Sequence, residues 1–89
     1  MMKYTLLNRR KSTFAKNHSD FVTWMRKNDL QVFENNQEFI SAYSHRKFLF
    51  EKIELNGENE HDFVEDLQKN NLLKIEKIPG GSILSLFKL

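Results

Sequence analysis

The stretch NEHDFVEDLQKNNLLKIEK, residues 59–77, changes its hydrophobic period partway along. Phe63, Val64 and Leu67 recur at helical spacing, and the Asn at position 59 stands where a helix N-cap is expected. Leu73 and Ile75 then alternate with charged residues, as in a half-buried strand. The stretch therefore predicts a helix followed by a strand, which is typical of an α+β domain.

The residues after this stretch are typical of a β-hairpin. Pro-Gly-Gly at 79–81 supplies turn residues, and SILSLFKL at 82–89 supplies a second strand. That strand is apolar on both faces for most of its length, so we expect it to be buried on both sides or to dock a partner. A homodimer formed through the edge of this terminal strand is one such arrangement.

Two further helices are predicted upstream. In residues 17–29, Ser19 is expected as the N-cap of a helix whose apolar stripe contains Phe21, Trp24 and Met25. This helix is expected to end at Asn28-Asp29.

The longest helix is predicted over residues 35–57. Asn35 with Glu38 resembles a capping box, and Gly57 is suited to the position just past the helix end. Apart from Arg46, helical spacing relates the apolar residues Phe39, Ala42, Tyr43, Leu49, Phe50 and Ile53. A second interpretation ends this helix near Lys47 and makes residues 47–55 a strand.

Near the N-terminus, residues 3–7 predict a short strand, residues 8–12 a polar turn, and Phe14 an isolated apolar anchor. We therefore expect a single α+β domain, residues 1–89, with three helices packed on a small antiparallel sheet. The C-terminal hairpin forms that sheet, and the N-terminal strand is placed to join it.

Charge is segregated along the chain, although the formal net charge is only +2. Residues 1–30, 31–71 and 72–89 carry net charges of +5, −5 and +2. Such asymmetry favours an anionic partner at one end of the molecule. The predicted residues for binding a partner or nucleic acid are Lys3, Arg9, Arg10, Lys11, Lys16, Arg26 and Lys27. The predicted acidic face consists of Glu58, Glu60, Asp62, Glu65 and Asp66.

The sequence carries no catalytic signature. The serines lack a nucleophile motif, the three glycines form no phosphate-binding loop, and the chain has no cysteine. His61 and Glu65 form an i, i+4 pair, but no second His or Cys stands at ligand spacing. We therefore expect no catalytic residue, no cofactor and no metal site, and a protein that is not an enzyme.

Residues 61–89 resemble the last helix and wing of a winged-helix domain. The resemblance implies DNA or RNA binding, with the last helix before the wing entering the major groove. In that family the helix is usually basic. Here it carries Glu60, Asp62, Glu65 and Asp66, which phosphates would repel.

The sequence favours a small non-catalytic regulator or inhibitor that binds a protein or a protein–nucleic acid complex. By class-level analogy with small inhibitors of phages and mobile elements, the partner is a nucleic-acid-handling enzyme or a ribonucleoprotein. The alternative is a winged-helix-like regulator that binds DNA or RNA through its basic N-terminal segment. No apolar run of signal-peptide or membrane-span length is present, so we expect a cytoplasmic protein without a membrane partner.

Overall fold

The computed structural model describes residues 1–78, which form a three-stranded sheet and three helices. The strands are β1 (Met2–Leu6), β2 (Lys11–Ala15) and β3 (Leu73–Lys77), and the helices are α1 (His18–Lys27), α2 (Asn36–Glu51) and α3 (Glu60–Lys69). Both strand pairings are antiparallel, in the order β2-β1-β3. The predicted α+β class is confirmed, and the N-terminal strand is central to the sheet. The Pro-Gly-Gly turn, the strand at 82–89 and any dimer edge on it lie outside the described residues.

The sheet has one buried and one exposed face. Tyr4 is fully buried on the inner face, and Leu6, Ala15 and Leu73 are nearly so. Side chains alternate along each strand. The strand register therefore gives the opposite face to Lys3, Thr5, Ser12, Phe14, Lys74 and Glu76.

The N-terminal hairpin corrects the prediction for residues 8–15. The turn occupies residues 7–10, with Arg10 in the left-handed region at φ 54°, and β2 begins directly after it. Phe14 pairs with Lys3 in the register and is 48% exposed, so its prediction as an apolar anchor is wrong. Only Ala15 of this edge strand is buried, which is why its sequence lacks strand alternation.

Helix α1 begins earlier than predicted. Asn17 is the N-cap, since its backbone is extended and its side chain accepts the Asp20 N–H at 2.8 Å. The predicted cap, Ser19, already lies within the helix. Phe21 and Met25 are buried as predicted, and Trp24 packs partly buried against the core.

Helix α2 starts as predicted but ends sooner. Asn35 caps it by accepting the Glu38 N–H at 2.8 Å. The helix ends at Glu51 because Lys52 takes a left-handed conformation, with φ 58° and ψ 29°. The prediction of Gly57 as the terminating residue is therefore wrong, and so is the interpretation of residues 47–55 as a strand.

Helix α3 matches its prediction closely. Asn59 accepts the Asp62 N–H at 2.8 Å, and Phe63, Val64 and Leu67 are fully buried. The helix packs against α1, α2 and β3. Within residues 1–78 no strand separates the three helices.

Candidate partner-binding surface

One face of α2 and the β1–β2 turn enclose a basic depression. Tyr43, Arg46, Lys47 and Phe50 lie at i, i+3, i+4 and i+7, so they share one face of the helix. Arg9 of the turn also lines the depression, whose volume is about 150 Å³. We call the set Arg9, Tyr43, Arg46, Lys47, Phe50 and Glu51 the basic pocket.

Cations surround the Tyr43 ring. The Arg46 guanidinium carbon lies 5.6 Å from the ring centroid, and the Lys47 Nζ lies 5.7 Å from it. Both distances are within the range of cation–π attraction. Lys47 also pairs with Glu51 at 2.5 Å, so the three cations of the pocket outnumber its single carboxylate.

Asp29 fixes the position of Arg46. The Arg46 Nη2 donates to Asp29 Oδ2 at 2.7 Å, and the Asp29 side chain is only 4% exposed. Burial is the largest influence on the pKa of Asp29 and acts to raise it. The hydrogen bonds from Arg46 and the Gln31 N–H, with the charges of Arg46 and Arg9, outweigh burial and lower the pKa below its ordinary 3.8. The guanidinium is thus held in place beside the pocket, although 37% of its side chain stays exposed.

The Tyr43 hydroxyl is buried without a hydrogen-bond partner among the described residues. Burial raises the pKa of this phenol above 10.0, although the charge of Lys47 acts in the opposite direction. An unpaired buried hydroxyl costs stability. Tyr43 is therefore a core residue whose polar end contributes nothing to the described fold.

Exposed apolar side chains lie in the last turn of α2 and in the α1–α2 loop. Phe48, Leu49 and Phe50, in the last turn of α2, are 45%, 50% and 81% exposed. Leu30 and Val32 follow Asp29 in the α1–α2 loop and are almost fully exposed. Helical spacing relates Leu49 and Phe50 to the buried Phe39 and Tyr43, yet both are exposed in the fold. Of these residues, Phe50 lines the basic pocket itself.

The predicted basic residues are only partly brought together. Arg9 lines the basic pocket, and Lys11 with Arg9 lines an adjoining cavity beside Trp24 and Asn28. Arg10, Lys16 and Lys27 are exposed. Lys3 lies on the outer sheet face, between Phe14 and Glu76.

Arg26 has a structural role instead. Its side chain donates to Asn36 Oδ1 at 2.8 Å and to the Phe33 carbonyl at 3.1 Å. Asn36 in turn donates to Glu60 Oε2 at 2.9 Å. Early cations and mid-chain acids therefore meet at this point, and the charge segregation along the sequence is only partly kept in space.

The predicted acidic face is largely engaged in local hydrogen bonds. Glu60 accepts from Asn36, Asp66 accepts the Asn56 N–H at 2.8 Å, and Asp62 accepts from the side chain of its N-cap at 3.0 Å. Glu58 is exposed, and Glu65 lies beside His61. These acids mostly stabilise the start of α3 and the loop before it.

The fold brings two histidines together that lie far apart in sequence. The His18 and His61 rings stack with centroids 5.5 Å apart, and Glu65 is 3.8 Å from His61 Nε2. Burial and the neighbouring His61 lower the pKa of His18, while Glu65 acts to raise it. Spacing along the chain gave no sign of this pair, because the two residues come from different helices.

Sequence reasoning also missed that Tyr43, Arg46, Lys47 and Phe50 line one pocket. The available signal was their i, i+3, i+4, i+7 spacing, which mixes cations with aromatics on one helix face.

No protein-family model, curated protein or solved structure matches this chain. Among the described residues, no helix is both long and apolar enough to cross a membrane.

Proposed function

We propose that this chain is a small non-catalytic regulator or inhibitor that binds an acidic surface on a larger macromolecular partner. The observation that supports this proposal most is the composition of the basic pocket and its surroundings. Arg, Tyr and Phe are enriched at protein interfaces, and Arg and Tyr are also enriched among their hot spots. Here Arg9, Arg46 and Phe50 stand side by side, with Phe50 81% exposed.

The exposed aliphatic side chains favour a protein partner over naked nucleic acid. Leu30, Val32 and Leu49 are at least half exposed. Such side chains neither pair with phosphates nor stack on bases, but they gain free energy when a protein covers them. The proposed partner surface therefore offers carboxylates at its centre and apolar groups around them. A nucleic-acid-handling enzyme or ribonucleoprotein is proposed as its class by analogy with small inhibitors of phages and mobile elements.

The burial of Phe50 gives the size of the affinity loss that we expect from a substitution in the basic pocket. Burying an exposed Phe side chain contributes about 1.5–3 kcal/mol, which corresponds to roughly a 10- to 100-fold change in affinity. Phe50→Ser should therefore weaken binding by about that factor without affecting the core. Arg9→Glu should also weaken binding, and this loss should grow as the salt concentration is lowered. The reason is that the substitution replaces attraction to the partner's carboxylates by repulsion from them.

The chain offers a matched control for each variant. Arg10→Glu changes the net charge by the same amount as Arg9→Glu, one residue away and outside the basic pocket. Phe14→Ser removes an exposed phenyl ring from the outer sheet face instead of α2.

The test begins with crosslinking and quantitative mass spectrometry of complexes from host lysate. The recovered partner is then purified and its affinity for each variant is measured. The proposal expects Arg9→Glu and Phe50→Ser to lose binding while Arg10→Glu and Phe14→Ser keep it. Equal affinity of all four variants for every purified partner would refute it.

A second candidate function is direct binding of RNA or DNA. The observation in its favour is the outer sheet face, where Phe14 is half exposed beside Lys3 and Lys74 lies on the same face. Aromatic side chains on a sheet can stack on unpaired bases while lysines neutralise phosphates. A gel-shift titration with single-stranded oligonucleotides at two salt concentrations tests it. This candidate expects Phe14→Ser, not Phe50→Ser, to lose binding.

A further inference from the structure

The starts of α1 and α3 bring three metal-ligand side chains together. His18 is the first residue of α1, and His61 and Glu65 lie one turn apart on α3. One donor atom from each of the three lies within 4.8 Å of the other two. These are the only three residues of this kind so grouped within residues 1–78.

Tyr4 orients the His18 ring. Its hydroxyl lies 2.9 Å from His18 Nδ1, its ring meets the imidazole edge-on at 5.8 Å, and it is fully buried. On its other side Tyr4 stacks on Phe21 with centroids 4.5 Å apart. When His18 Nδ1 carries the proton, it donates to the Tyr4 oxygen and leaves Nε2 free as a ligand. A second hydrogen bond that fixes the ring in this way is the usual companion of a metal-binding histidine.

We propose that His18, His61 and Glu65 form a site for a borderline divalent cation of the Zn²⁺ class. Two imidazole nitrogens and one carboxylate match the ligand preference of Zn²⁺, whereas Mg²⁺ and Ca²⁺ prefer oxygen ligands throughout. Three protein ligands leave a fourth position for water or for a group on a partner. The site is separate from the basic pocket and does not depend on the proposed function.

The site can contract to coordination distances without disturbing the core. Tetrahedral bonds of about 2.0–2.1 Å require the donor atoms to approach one another more closely than they do here. His61 and Glu65 have side chains that are 69% and 43% exposed, so both are free to move toward His18. His18 itself stays fixed by Tyr4.

Helix polarity opposes a cation at this position, because the N-termini of α1 and α3 carry partial positive charge. Glu65 offsets this effect as a ligand. Asp20 and Asp62 lie in the first turns of the same two helices and add negative charge. The site should therefore select for cations that bind imidazole strongly.

The test is titration of the full chain, free of any affinity tag, with Zn²⁺ and Co²⁺. Calorimetry gives the stoichiometry and affinity, and the visible absorption of Co²⁺ reports coordination by nitrogen and oxygen. The proposal expects one ion per chain, at least tenfold weaker binding for His61→Ala and Glu65→Gln, and no competition from Mg²⁺. His45→Ala is the matched control, since His45 is an exposed histidine outside the cluster.

Two further measurements keep the result unambiguous. Circular dichroism should show that each variant is folded, because the His61 side chain is largely exposed and the Glu65 side chain is partly exposed. Tyr4→Phe should weaken Zn²⁺ binding while keeping all three ligands. Wild-type affinity in His61→Ala, or an equal loss in His45→Ala, would overturn the proposal.

Discussion

The two buried tyrosines should respond to the same substitution with opposite sign. Tyr4 and Tyr43 are 0% and 3% exposed. The Tyr4 hydroxyl has a hydrogen-bond partner in His18 at 2.9 Å, whereas the Tyr43 hydroxyl has none among the described residues. Replacement by Phe keeps the ring and its packing and removes only the oxygen. The two substitutions therefore measure what a buried hydroxyl contributes to the free energy of unfolding, with and without a hydrogen-bond partner.

The magnitudes follow from this difference. A satisfied hydrogen bond contributes about 0.5–1.5 kcal/mol to stability, so Tyr4→Phe should destabilise the fold by about 1 kcal/mol. Its loss also leaves His18 Nδ1 without its partner. An unsatisfied buried polar group costs about 1–3 kcal/mol. Since Tyr43→Phe also loses the oxygen's packing contacts, we expect a smaller net gain of about 1 kcal/mol. The two variants should therefore differ by about 2 kcal/mol.

Urea unfolding followed by Trp24 fluorescence measures this difference. With a denaturant slope of about 1 kcal/mol/M for a small domain, the two midpoints should lie roughly 2 M apart, on either side of the wild type. In a thermal scan each kcal/mol corresponds to about 4–8 °C. If Tyr43→Phe loses as much stability as Tyr4→Phe, the Tyr43 hydroxyl has a partner in solution, and the account of the pocket given above fails.

Three further predictions concern the termini and ion pairs of the helices. Lys52→Gly should stabilise the protein by about 0.5–1 kcal/mol in thermal unfolding. The substitution removes the strain of a non-glycine residue in the left-handed conformation, which costs about 1–2 kcal/mol. Part of this gain is offset because glycine has more conformational entropy to lose from the unfolded chain. Asn59→Ala should cost about 1 kcal/mol in the same assay, because the first turn of α3 loses its cap. Because the pKa of Asp29 is lowered in the fold, its stabilising contribution is complete above about pH 3.8 and is lost as pH falls through the folded-state value. Arg46→Gln should raise that pKa in an NMR titration of the carboxyl group, whereas Arg10→Gln should leave it unchanged.

Local signals in the sequence were enough to predict most of the helices and β3. Side-chain caps such as Asn35 and Asn59 act within three residues, and the inward stripe of α3 repeats within one short helix. Ends set by backbone conformation were harder to predict. Helix α2 ends at Lys52, whose left-handed conformation is usually adopted by glycine. A lysine at this position therefore did not indicate the end of the helix.

Strand β2 could not be predicted because its structure depends on its partner. Among its residues, KSTFA, only Ala15 is buried. Nothing in this segment alternates as a strand with one face in a core should. Its strand conformation comes from pairing along the whole of β1. The same pairing places Phe14 opposite Lys3 on the outer face, so a hydrophobic residue in the sequence became a surface residue in the fold.

The candidate site shows why charge counted along a chain is a weak guide to function. Arg9 and Arg26 contribute equally to the positive N-terminal block, yet Arg26 is held by two hydrogen bonds to Phe33 and Asn36. The Arg9 side chain makes no hydrogen bond or ion pair with the described residues and lines an open pocket. Arg46 belongs to the net-negative segment, residues 31–71, yet it lines the same pocket. What separates a binding cation from a structural one is the presence of acceptors nearby in space, and that depends on the fold.

Helix α1 connects the two sites proposed for this chain. His18 begins it in the histidine cluster, and Asp29, just beyond its other end, pairs with Arg46 at the basic pocket. Ten residues at 1.5 Å each make the helix about 15 Å long. The two sites have no residue in common. Variants at one site should therefore leave binding at the other unchanged, and each proposal can fail without the other. If Zn²⁺ does alter partner affinity, the change must be transmitted through the packing of α1, because screening at physiological salt, with a Debye length of about 8 Å, leaves little direct electrostatic coupling over this distance.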